Sequence, residues 1–509
     1  MLTRLKVSGF KNLVDVDVRF GPFTCIAGPN GVGKSNLFDA IRFLSALADR
    51  PLVEAALTVR GDENGGRTAD VRSLFQRYGD EYASEMSFEV EMIVPSEGKD
   101  DLGESANATT TLLRYALVLA YRKDESLSSS GPLEILKEHL TYLKKTHAPK
   151  HLLFEHKLAW RSSAVRGKRG SDYVSTEDQE GERVIKLHQD GRHGRPLKRL
   201  AKNLPRTVLS ATNAAESPTA LLARREMRSW RLLQLEPSAL RRPDEFSAPT
   251  KLTSDGSHLA ATLYRLASRN GSGQTDSSSG NSRVCAEIAN RLAELIDDVY
   301  KVSIDRDEKR ELLTLNVTGR DKTAHAARAL SDGTLRFLAL GVLERDPETQ
   351  GVLCLEEPEN GIHPARIPAM IRLLRDIATD VSEPVDFENP LRQVIVNTHS
   401  PVVVQQVPED TLLVAEPKES ICSGKRFNGV RFSCLPETWR EERSTDRIDI
   451  CKKGDLLAYL NPVLPANADI EEDDSPRTSS ATKTRLRRSR RVIDRPDIAP
   501  YFPGISPIE

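Results

Sequence analysis

Residues Gly28-Pro29-Asn30-Gly31-Val32-Gly33-Lys34-Ser35 combine three glycines, a lysine and a hydroxyl at the spacing of a phosphate-binding loop. Successive backbone N–H groups of such a turn converge on one concavity that holds a β-phosphate. Gly33 permits close backbone approach, Lys34 reaches the β- and γ-phosphates, and the Ser35 hydroxyl, followed by Asn36, suits Mg²⁺. The flanks agree. Residues 23–27 (Phe-Thr-Cys-Ile-Ala) are a short apolar run that reads as a buried strand. Leu37, Ile41, Leu44 and Leu47 give residues 34–48 helical periodicity. Strand, loop and helix together place an anion at a helix N-terminus, so the chemistry is nucleotide binding.

Three later segments hold groups that complement such a loop. Residues 351–357 form an apolar run ending in Glu356 and Glu357. One acid at a strand end holds Mg²⁺, and a second beside it can deprotonate an attacking water. The plainer reading is a strand that stops at a charged turn. Residues 391–397 are another buried run, closed by Thr398-His399-Ser400. A histidine there can hydrogen-bond a γ-phosphate oxygen, because α/β sheets place ligands at the ends of parallel strands. Ser331-Asp332-Gly333 opens a helix and leaves N–H groups for an anion, or serves only as a Ser N-cap.

The elements that must position these groups follow from composition and pattern. A chain of 509 residues with 38% hydrophobic and 29% charged residues implies two to four structural units with a core that needs no disulfides. The formal net charge of −1 excludes a global electrostatic pull toward nucleic acid. No apolar run approaches the ~18–20 residues of a membrane helix, and no signal peptide is evident. The six cysteines (25, 285, 354, 422, 434 and 451) contain no CxxC pair and lack nearby histidines in the C-terminal region. Buried thiols in a reducing cytoplasm are the expectation, and zinc is not.

Residues 5–10 look like an edge strand and 14–20 like a second strand. Alternation in 86–94, 112–121, 152–160 and 183–188 predicts an antiparallel sheet inserted after the loop helix. Helices are expected over 217–230 and 284–299, and a strand over 311–317. The expected division is therefore five segments: 1–85; an inserted antiparallel β subdomain, 86–205; a helical insert, 206–325, with a flexible Gly/Ser loop at 270–282; 326–465; and a disordered tail, 466–509. The fold class is α/β, with a mixed, largely parallel sheet flanked by helices.

In order and type these motifs resemble an ABC-type ATPase head of the RecF/SMC/OLD group, the set often called AAA family ATPases. Residues 28–35 look like Walker A, 330–334 like the ABC signature and 353–357 like Walker B. Residues 357–364 resemble the D-loop turn, His399 the switch histidine, and residues 5–13 the opening of such heads. Two positions depart from the family pattern: the Walker B Asp is Glu356, and the signature reads Ser-Asp-Gly. The Q-loop has two candidates, Gln234, which is preferred, and Gln76. The resemblance implies a P-loop NTPase that binds ATP and Mg²⁺ and dimerises, or assembles further, through ATP sandwiched between heads. Ser331 and Gly333 of one copy would reach the γ-phosphate held by the other. Ser35, Glu356 and Gln234 would serve the metal, and Glu357, His399 and Lys34 the chemistry.

For the output, the resemblance implies three readings. The first is a subunit of an anti-phage defence system that licenses a separately encoded nuclease or toxin effector. The second is a RecF-like DNA maintenance ATPase, and the third a nucleotide-gated assembly protein with little turnover. Basic residues at 161–169, 192–202 and 483–491 make DNA a possible partner. A C-terminal Toprim nuclease, known in OLD proteins, is not expected, because no Asp-x-Asp strand follows residue 416.

Overall fold

The apolar run Phe23–Ala27 forms a strand buried at every position, and in the computed structural model it lies inside a six-stranded sheet. The structure describes residues 1–59, 70–122, 131–167, 170–190, 195–269, 283–422, 425–446, 448–460 and 490–501. Strand order in this sheet is Arg231–Leu233, Gly351–Glu356, Arg392–Thr398, Phe23–Ala27, Leu412–Cys422 and Lys425–Cys434. The first five run parallel, and the last returns antiparallel. Parallel strands covered on both faces are apolar throughout rather than alternating. Arg392–Thr398 accordingly has no exposed residue.

Ile26, Val352, Cys354 and Ile395 face one layer, made of the helix Lys34–Leu47 and a second sheet. Cys25, Leu353, Leu355, Val394 and Val396 face the other, made of helices that include Asp332–Arg345 and Ile367–Ile377. The result is an α/β sandwich whose mixed sheet sits between two apolar layers. The second sheet has eight antiparallel strands running in order from Leu197–Leu200 to Val16–Arg19. Phe43 of the loop helix stacks on Phe10 at 5.9 Å and tilts against Phe88 at 5.7 Å, tying that helix to this sheet. Among the described residues no helix is long and apolar enough to cross a membrane.

Several elements differ from the sequence expectations. Leu2–Ser8 is an interior strand rather than an edge, flanked by Val16–Arg19 and Glu85–Ile93. Arg4 on this strand is buried and paired with Asp17, Glu91 and Asp446. That pairing also joins the first 20 residues to the inserted sheet, so residue 85 does not separate two sheets. Residues 152–160 are not a strand: they turn and enter the helix Leu158–Ala164. Their apolar spacing serves an aromatic cluster in which Phe154 lies 5.6 Å from Trp160 and 6.3 Å from Trp439. The helix expected over 284–299 is Arg283–Ala293, and Val299 already begins a strand paired with Leu312–Gly319. Residues 206–325 thus hold a small sheet as well as helices. Leu133–Tyr142, Val174–Gln179 and Leu197–Leu200 are strands that their half-polar sequences hid. The 270–282 loop, and residues 466–489 and 502–509 of the expected tail, lie outside the described residues. Residues 490–501 are packed: Val492 is buried, and Arg495 pairs with Glu409 at 3.0 Å.

Candidate nucleotide site at the parallel strand ends

Four parallel strands end at one edge of the central sheet, where open α/β sheets bind their ligands. Leu233 leads to Gln234, Glu356 to Glu357, Thr398 to His399 and Ala27 to the glycine-rich loop. Register does the rest: Glu356 lies opposite Asn397, and Thr398 opposite Ala27.

Gly33 caps the loop helix in the left-handed region, at φ +109°, with no side-chain cap. No side-chain cap therefore competes with an anion at the start of Lys34–Leu47, although the Asn36 N–H donates to the Gly33 carbonyl at 3.1 Å. A Cβ on Gly33 would meet the Asn12 amide at 2.2 Å, so that position admits only glycine. Asn12 itself escaped the sequence reading, where it appeared only as part of an opening motif. Its Nδ2 donates to the Val32 carbonyl at 2.9 Å, and its Oδ1 accepts from Asn36 at 2.7 Å. It staples the loop from outside.

Lys34 is buried and turned back on the loop, donating to the carbonyls of Gly28 at 2.5 Å and Pro29 at 2.8 Å. Burial lowers its pKa, while the charges of Glu357, Glu356 and Glu359 act in the opposite sense. Ser35 is exposed beside it.

Glu357 adopts a left-handed conformation, φ +46°, uncommon for a non-glycine residue. Its N–H donates to the Asn397 carbonyl at 3.0 Å. One carboxylate oxygen lies 2.6 Å from His399 Nδ1, and the other accepts from Asn360 Nδ2 at 3.0 Å. Burial alone would raise this carboxyl. Hydrogen bonds from Asn360 and His399, with the charges of His399 and Lys34, bring it below the usual range. It is a carboxylate at neutral pH, so His399 Nδ1 is the donor.

Glu356 Oε1 accepts from Asn397 Nδ2 at 3.2 Å, leaving Oε2 free among the described residues. With the Ser35 hydroxyl and the Gln234 amide it makes an all-oxygen donor set. Such a set fits Mg²⁺, which is held by one or two carboxylates together with phosphates and water. Gln234 lines a cavity of about 160 Å³ with Glu356, Glu357, Arg336 and Asn360. Gln76 is buried instead, bonded through its backbone to Gly9 and Ala83. Of the two candidate glutamines, Gln234 faces the carboxylates.

Ser331 is exposed and caps the helix Asp332–Arg345, accepting from Thr334 N at 3.2 Å. Gly333 is required for close packing: a Cβ there would lie 2.2 Å from the Gly361 carbonyl. One turn on, Arg336 donates to the Leu235 carbonyl at 3.1 Å and the Asn360 carbonyl at 2.9 Å. Arg336 thus ties the signature helix to the strand ends bearing Gln234 and Glu357, a role its sequence position alone did not signal.

The chain is similar to several known proteins. The family model described as "AAA domain, putative AbiEii toxin, Type IV TA system" matches residues 151–405, half of the chain. A model of the RecF/RecN/SMC N terminal domain matches residues 1–104. The DNA replication and repair protein RecF of Clavibacter sepedonicus is 26% identical over 43% of this chain and 55% of its own length. The chain thus spans about half the length of that curated relative. The OLD nuclease of Thermus scotoductus is 51% identical over a 41-residue stretch, 8% of each chain. An SMC head crystallised with the C-winged helix domain of ScpA aligns at 12% identity and a TM-score of 0.42, covering 84% of this chain and 97% of that one. On the match over residues 151–405, with the N-terminal model before it, the chain belongs to this AAA domain family and is an ABC-type ATPase head of the RecF/SMC group.

Proposed function

We propose that the protein binds ATP with Mg²⁺ and hydrolyses it slowly at a composite site formed by two copies of the chain. The observation that carries this reading is the convergence of Lys34, Glu356, Glu357 and His399 at adjacent parallel strand ends, while Ser331 stands exposed on a separate helix start. Lys34 exchanges its two loop carbonyls for phosphate oxygens, a charge-assisted contact stronger than the neutral ones it leaves. Glu357 takes a proton from the attacking water, which requires one of its contacts to His399 or Asn360 to open. His399 then turns its donor toward the γ-phosphate. Ser35, Glu356 and Gln234 would hold Mg²⁺, which would supply neutralisation of the phosphate charge. Ser331, with the helix amides behind it, supplies the second copy's contact to that phosphate.

Ser331→Arg tests the composite character. Nucleotide affinity of the single chain is expected to stay within about twofold, while ATP-dependent dimers and turnover disappear. Sizing by light scattering with and without ATP reads the first effect and phosphate release the second. A specific activity independent of protein concentration would sink the composite site.

Asn12→Ala tests the loop. Loss of two hydrogen bonds, each worth ~0.5–1.5 kcal/mol, is expected to raise the nucleotide Kd about tenfold. An unchanged Kd by calorimetry would show that the loop holds its shape without this staple.

For the output, the reading we carry forward is an ATP-gated sensor or scaffold that controls a separately encoded effector in anti-phage defence. The toxin–antitoxin wording of the family supports it. Action on DNA is the second reading, supported by the RecF relatives. Salt-dependent, ATP-stimulated DNA binding by the purified chain favours the second. ATP-dependent capture of the neighbouring gene's product without DNA favours the first.

A further inference from the structure

The helix Asp332–Arg345 opens with a carboxylate. Asp332 stands between Ser331, the exposed cap, and Gly333, where the composite site would receive the other copy's phosphate. An acid in the first turn favours the helix itself, but it repels an approaching anion. The Ser-Asp-Gly sequence therefore carries a charge that works against the contact Ser331 would make.

Arg241 meets that charge. Its Nη2 donates to an Asp332 carboxylate oxygen and, at 3.1 Å, to the Leu330 carbonyl. The two acceptors lie on either side of Ser331, so one guanidinium brackets the serine. Arg336, one turn along the helix, is committed instead to the carbonyls of Leu235 and Asn360. The backbone of Arg241 is held in place. Its N–H donates to the Pro237 carbonyl at 3.1 Å, and its neighbour Leu240 is buried in the same core as Leu335 of the Asp332 helix. The pair itself is open to water, with side chains 31% exposed for Arg241 and 54% for Asp332. Exposed ion pairs contribute little to folding, so stability alone is a weak reason for this one.

We propose that Arg241 is a positioning residue of the composite site, cancelling the Asp332 charge beside Ser331 so that this helix start can meet the γ-phosphate held by the other copy. This inference rests on the composite reading above.

The test follows dimerisation of the full chain by light scattering with Mg²⁺ and a non-hydrolysable ATP analogue, together with analogue Kd at dilution and Tm. Arg241→Ala is expected to weaken the analogue-dependent dimer about tenfold or more, because a bare carboxylate then faces the phosphate. Analogue Kd of the single chain should stay within about twofold and Tm should hardly move, as for an exposed pair. Adding Asp332→Asn to Arg241→Ala is expected to restore most of the dimer. Arg241→Lys is expected to keep most of it, since the charge is again met. The gap between Arg241→Ala and the wild type should also narrow from about 0.05 to 0.5 M salt, as screening shortens the repulsion.

Wild-type dimerisation in Arg241→Ala overturns the proposal, the pair then being an ordinary surface contact. A double variant as defective as Arg241→Ala overturns it too, because the charge of Asp332 would not be the cause. A fall in Tm that accounts for the lost dimer assigns the pair to the fold and overturns it as well. Any of these results with a wild-type chain that dimerises on the analogue sinks this inference alone. No analogue-dependent dimer in the wild type sinks the composite reading and this inference with it.

Discussion

Glu357→Gln is expected to lower ATP turnover by roughly 10²–10⁴-fold, the usual contribution of a positioned general base. The substitution keeps the shape of the side chain and its capacity to bond Asn360, but removes the basic oxygen that faces His399 at 2.6 Å. Nucleotide binding is expected to persist, so an ATP-bound dimer should accumulate and be visible by light scattering. The left-handed backbone at this residue, φ +46°, is the same for both side chains, so stability should change little. Phosphate release by the wild type no faster than by the variant would mean that the protein is a static nucleotide-gated scaffold. A loss of nucleotide affinity matching the loss of turnover would instead assign Glu357 to binding.

Lys34→Ala is expected to abolish measurable ATP binding. Hydrogen bonds to charged groups are worth about 1.5–3 kcal/mol each, so loss of two phosphate contacts weakens affinity by on the order of 10²–10⁴-fold. The free protein is affected as well. Lys34 is buried and satisfies the Gly28 and Pro29 carbonyls, which lose their donor in the variant. A modest fall in Tm is therefore expected alongside the binding defect. Nucleotide-induced stabilisation separates the two effects: the wild-type Tm should rise with ATP and the variant's should not. A variant stabilised by ATP as much as the wild type would refute the assignment of this loop.

How much could be read early differs from element to element. The strand Phe23–Ala27 and the helix Lys34–Leu47 were legible because burial on both faces and on one face impose distinct apolar patterns over a few residues. The segment 152–160 misled because a spacing close to alternation also arises when Phe154 and Trp160 turn toward a distant tryptophan, Trp439. Leu133–Tyr142 was missed for the opposite reason. Its polar residues can be met inside the fold, as at Glu138, whose buried carboxyl accepts the N–H groups of Val208 and Leu209, so a polar residue there is not a solvent-facing one.

The same division runs through the site. Residues 28–35 signal an anion-binding turn by themselves, because consecutive backbone amides and three glycines at that spacing suit such a concavity. The types of the remaining groups, Glu356, Glu357, His399, Ser331 and Gln234, were also legible, each at the end of an apolar run or the start of a helix. Their relations were not. The Glu357–His399 contact joins residues 42 apart in sequence and exists only because parallel register sets Glu356 beside Asn397. Asn12 on Val32 and Arg336 on Leu235 and Asn360 depend in the same way on the packing of separate layers. Short-range geometry is written residue by residue, whereas contacts across strands and layers follow from burying the apolar faces of distant segments together, and that burial was decided only in the folded chain.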